Sequence, residues 1–194
     1  LYLAKNISDT TALNKMYGIL ESYVMRRIVT HATSKNYNNL FLSLIANEIL
    51  DADDLRTRLQ AASGTNSYIP TDTELQDGFE HSKLMNLYSK GVLYLIESHI
   101  RPAQSAVVLH GFNNYSLEHL MPKKWRNNWP ACPTPLDAEK RDSILLTLGN
   151  LAIIPQSLNA SIRDSDWNTK KAGKGQEKPG LTLLSLIHIS EPTR

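Results

Sequence analysis

Apolar residues in the segment TALNKMYGILESYVMRRIV, residues 11–29, fall at Leu13, Met16, Tyr17, Leu20, Val24 and Ile28. Steps of three and four put them on one face of a helix, and Asp9 or Thr10 suits its N-terminal cap. A second periodic stretch, residues 38–62, carries Leu40, Phe41, Leu44, Ile45, Leu55 and Leu59, and its DADD run predicts a break into two helices. SGTNSYIP, residues 63–70, is a turn-rich connector. TDTE at 71–74 fits a capping box between Thr71 and Glu74. A further helix is predicted over HSKLMNLYSKGVLYLIESHI, residues 81–100, stopping before Pro102, with Leu84, Leu87, Tyr88 and Leu95 as core.

The period changes near residue 112. YSLEHL, residues 115–120, alternates like a short strand, and Pro122 ends it because proline cannot donate to a ladder. SILLTLGNLAIIP, residues 143–155, reads as β-rich around a Gly-Asn pair. SLNASIRDSDWNTKKAGKG, residues 157–175, is polar and helical in its first half. The predicted order is therefore a helical region over 1–111, then strand, long loop, strand and helix: an α+β chain.

Composition adds only bounds. The 194 residues are 41% hydrophobic and 21% charged, as in an ordinary globular protein. No apolar run reaches the roughly 18 residues of a membrane span, and LYLAKNISD lacks the features of a signal peptide. A cytoplasmic setting is expected. The chain does not begin with Met and reads as part of something longer. Its one cysteine, Cys132, can neither close an internal disulfide nor build a Cys-rich zinc cage. Charge is uneven: residues 1–118 hold 10 Lys/Arg against 12 Asp/Glu, and residues 119–178 hold 10 against 6. The second segment would draw a polyanion.

That basic segment begins where Glu118 and His119 stand side by side. Phosphodiester hydrolysis needs a base of near-neutral pKa, for which imidazole is best suited, and a cation beside the leaving oxygen. Hard cations take carboxylate and amide oxygens, and a lysine can hold a phosphate oxygen. Glu118, His119, Asn150, Asn159, Lys170 and Lys171 supply these groups in order. Neighbours on a regular strand face opposite ways, so Glu118 and His119 can share one site only if the strand ends and bends there. Trp125, Trp129 and Trp167 are expected as core or loop anchors, and His31, His81, His99 and His110 as packing or surface residues.

The set EHLMP, LGNLAII, LN and DWNTKK resembles the His-Me finger, or HNH, nuclease superfamily. It is closer still to the C-terminal nuclease domain of GmrSD-like modification-dependent restriction endonucleases. This resemblance implies a ββα-metal finger over residues 112–184. His119 would be the general base, with Glu118 and Asn159 on a divalent cation, Mg²⁺ or Mn²⁺. Asn150 would steady the finger and orient His119, and Lys170 or Lys171 would approach the phosphate. Lys123, Lys124, Arg126, Arg163 and Lys171 would hold the DNA backbone. The family also implies phage defence and a ParB-like, NTP-hydrolysing domain upstream of this chain. A non-catalytic module that only binds nucleic acid or protein is the rival reading, and an RNA-directed nuclease a third. The last ten residues, SLIHISEPTR, resemble a translated sequencing adaptor and are expected not to be native.

Overall fold

A computed structural model of the protein describes residues 1–62, 64, 66–101, 108–175 and 178–183. The expected non-native tail, 185–194, lies outside the described residues. The chain divides into two compact units, Leu1–Ser82 and Lys83–Arg194. Among the described residues no helix is long and apolar enough to cross a membrane.

The first unit is helical: α1 (Tyr2–Asn6), α2 (Thr10–Val29), α3 (Tyr37–Ala46), α4 (Ala52–Ala61) and α5 (Asp72–His81). Asp9 caps α2 by accepting from the Thr11 amide, and Asp51 caps α4 by accepting from Asp53 and Asp54. The acidic run does separate two helices, because Asp51 satisfies amides that a continuing helix would have bonded itself. At α5 the capping box is complete, Thr71 and Glu74 serving each other's backbone amides. Met16, Tyr23, Ile49, Ala52, Leu55 and Leu59 form the core. Gly78 lets α5 press on the end of α2, since a Cβ there would stand 2.7 Å from Val29 Cγ1.

In the second unit α6 (Asn86–Ile100) packs against an antiparallel pair, β1 (Tyr115–His119) and β2 (Leu151–Pro155). Residues 81–100 are thus not one helix: α5 ends at His81 and Lys83 bridges to Thr147 before α6 begins. That break sets the buried side of α6 at Ser89 and Val92, which leaves Leu87 at 63% and Tyr88 at 43% exposure instead of in the core. The expected long loop contains a helix, α7 (Pro135–Ile144), capped by Thr134 and started by proline at its first turn. Only the last five residues of the apolar 143–155 run are strand. The helices α8 (Gln156–Ile162) and α9 (Trp167–Ala172) follow. Ile154, Leu158, Ile162 and Leu181 make a small core there, with Leu120, Ala152 and Trp167 against it.

Candidate active site

The β1–β2 register pairs Glu118 with Ala152 and His119 with Leu151. The ladder is regular to its end, so alternation turns the two neighbours to different sides. The chain departs only beyond His119, at Leu120, whose amide still donates to the Asn150 carbonyl at 2.9 Å.

Asn150 fixes that departure. Its Oδ1 accepts from the Met121 amide at 2.8 Å, and its Nδ2 donates to the carbonyls of Met121 and Leu145, both at 2.9 Å. The side chain satisfies three backbone groups that would otherwise be buried without partners. It makes no hydrogen bond to the imidazole. Its action on His119 runs through the backbone two residues on.

Glu118 is buried, and Lys170 of α9 is buried against it. The Lys170 ammonium donates to Glu118 Oε1 and, at 2.6 Å, to the His119 carbonyl. Burial pushes the Glu118 carboxyl above its ordinary range, while Lys170 pulls it back toward the charged form. The short helix carrying Lys170 is set by Asp166, which caps α9 through the Thr169 amide at 3.0 Å. The preceding loop is held by Asn128 Nδ2 on the Asp164 carbonyl at 2.8 Å and Trp129 Nε1 on the Ser165 carbonyl at 3.2 Å.

The His119 ring is half-buried, and its Nε2 is fully buried with no hydrogen-bond partner among the described residues. Burial first, then the ammonium groups of Lys123 and Lys170, push the imidazole down from the ordinary 6.5 to about 4. At neutral pH the ring is uncharged and one nitrogen holds a lone pair that no side chain has claimed.

The other expected residues are spread more widely. Asn159, on α8, donates Nδ2 to the Leu117 carbonyl at 3.3 Å. A carbonyl can only accept, so this bond leaves Asn159 Oδ1 as its free face. Lys123, Lys124 and Lys171 are exposed. Arg163 is exposed just past α8, at φ 41°, where an L-residue is strained. Arg126 is bound bidentately to Asp142, at 3.0 and 2.6 Å, and lies over the buried Trp125 ring at 4.5 Å. Asp142 also accepts from Trp125 Nε1 at 2.9 Å. Neither Asp142 nor Asp166 was expected from the sequence. The Asp166–Thr169 spacing at the start of α9 is a local signal for Asp166, while Asp142 meets Trp125 and Arg126 across the fold and has no local signal.

The sequence profile described as GmrSD restriction endonucleases, C-terminal domain, matches residues 69–189. The chain belongs to this family. No curated protein and no solved structure matches it. Membership makes the GmrSD-type domain one of restriction-endonuclease type, and the site described above falls within the matched residues.

Domains of this type usually use a divalent metal. Among the described residues no group of three or more His, Cys, Asp or Glu side chains converges on one point. Of the two expected ligands, Asn159 has an Oδ1 with no hydrogen bond among the described residues. Glu118 does not fit: its carboxylate is buried under the Lys170 ammonium. As arranged, the expected pair does not fit a divalent ion.

Proposed function

We propose that β1, β2 and α8 form a His-Me finger that hydrolyses DNA phosphodiester bonds, with His119 as the base that takes a proton from the attacking water. The observation that carries this reading is the unclaimed, buried Nε2 of a neutral imidazole at a strand tip. An orphaned buried nitrogen costs stability, and such costs are kept at functional sites. A base pushed to about 4 is a weak one in the free protein, and its Nε2 has to be uncovered before a water can reach it. The arriving phosphodiester brings negative charge near Lys123, which pushes the imidazole back up against that lysine's effect, while the burial that lowers it most is unchanged. Lys123, Lys124, Lys171 and Arg163 offer exposed positive charge for the flanking backbone. Arg126 is already matched by Asp142. No step is assigned to Mg²⁺ or Mn²⁺. In the cell this reading belongs with cytoplasmic restriction of phage DNA, an NTP-hydrolysing ParB-like domain acting upstream.

The closed Glu118–Lys170 pair favours a second reading, a finger that binds nucleic acid or protein without cutting. Plasmid nicking separates the two. The nuclease reading expects His119→Ala to lower the nicking rate per folded molecule by about 10²–10⁴-fold. Equal nicking by both proteins removes His119 from the chemistry. Salt-sensitive DNA binding with no nicking by the wild type supports the second reading.

A further inference from the structure

Lys170 is the group that the nuclease reading leaves without a task. A fully buried lysine is rare and costly unless paired. Two of its three donors go to consecutive residues of one strand end, the carboxylate of Glu118 and the carbonyl of His119. The ammonium therefore cross-links the helix α9 to the strand tip that carries the imidazole. With no exposed surface, Lys170 cannot reach a phosphate from where it stands.

Nor is the lysine easily withdrawn. Asp166 holds the first turn of α9 through both the amide and the hydroxyl of Thr169, at 3.0 and 2.5 Å. At the far end Gly173, at φ 88°, bridges to Pro179, and a Cβ on it would strike the Lys178 carbonyl at 2.3 Å. The loop before α9 hangs from Asn128 and Trp129. Every attachment places the ammonium on Glu118, and a second cation on the same buried carboxylate would meet it at close range in a medium that screens poorly.

We infer that Lys170 is a positioning residue that stands at Glu118 in the place of a cation. It neutralises the carboxylate, fixes the His119 carbonyl and thereby sets the strand tip. Glu118 then anchors α9 and is closed to divalent ions while α9 is docked. The link to catalysis rests on the nuclease reading; the occupancy of Glu118 does not.

Calorimetric titration of the full chain with Mn²⁺ tests this on wild type, Glu118→Gln, Lys170→Met and the double variant. Glu118→Gln is expected to leave the Mn²⁺ affinity within twofold of wild type. Lys170→Met, which frees the carboxylate, is expected to tighten Mn²⁺ at least tenfold, and the double variant to lose that gain. A tenfold weakening in Glu118→Gln alone, or no gain in Lys170→Met, overturns the inference. Should Lys170→Met fail to fold, Glu118→Gln decides: unchanged affinity supports the inference and a tenfold loss sinks it. Plasmid nicking on the same preparations keeps the outcomes apart. Nicking abolished by His119→Ala alongside a Glu118-dependent Mn²⁺ site would uphold the nuclease reading and remove this one.

Discussion

Among the described residues each unit buries one basic side chain completely, and the two are held in different ways. Arg27, in α2, donates to the carbonyls of Tyr68, at 2.6 Å, and Thr33, and lies between 5.6 and 5.7 Å from the rings of Tyr23, Tyr37 and Tyr68. Its charge is met by dipoles and aromatic faces. Lys170 is met by a full carboxylate and one carbonyl. The planar guanidinium can satisfy acceptors far apart while stacking on rings, which suits a staple between helices. The compact ammonium concentrates its charge at one point, which suits a site where a neighbouring imidazole feels the field. Burial of a cation is the same event in both units, and each leaves one nitrogen without a partner among the described residues, Arg27 Nε in the first and His119 Nε2 in the second. Only the second belongs to an imidazole, whose ordinary pKa lies near neutral pH.

If that contrast holds, the largest effect should come from Lys170→Met. It leaves a carboxylate buried and unpaired, and a loss of about 3–5 kcal/mol in urea-unfolding stability is expected. A loss well under 1 kcal/mol would mean that solvent reaches Glu118. Arg27→Lys keeps the charge and removes the fork and the stacking surface. It should cost about 1–3 kcal/mol by the same measurement and leave the nicking rate per folded molecule unchanged. An unaltered stability would show that charge alone suffices there, erasing the distinction drawn above. The smallest effect is expected at Arg126, more than half exposed on Asp142. Arg126→Ala should change stability by less than about 1 kcal/mol.

How much of this was written in the sequence depends on the distance over which each feature acts. The caps at Asp9, Asp51 and Thr71 act within four residues, so the starts of α2, α4 and α5 could be read directly, while α1 and α3 have no side-chain cap to mark them. β1 was readable because its alternation and Pro122 are both local. The run 143–155 misled because short apolar stretches look alike in helix and strand. Its first two apolar residues end or follow α7, with Ile144 at 49% exposure. The helix α7 buries no residue, so it shows no apolar stripe to find. The Glu118–Lys170 contact joins positions 52 apart. Residue types alone suggested a cation for one and a phosphate for the other. Only the fold shows that they consume each other.

The central physical claim is that His119 stays neutral and unclaimed. Its folded pKa, about 4, is below the ordinary 6.5. Its contribution to stability is therefore fully present above 6.5 and is lost as pH falls toward 4, where the unfolded chain binds the proton first. Imidazole NMR on the isotope-labelled full chain reads this directly, the His119 resonance being the one missing from His119→Ala. The ring is expected to remain neutral at pH 6 and to titrate near 4. Titration at about 6.5 would mean an exposed, ordinary histidine, and would contradict the buried base on which the nuclease reading stands.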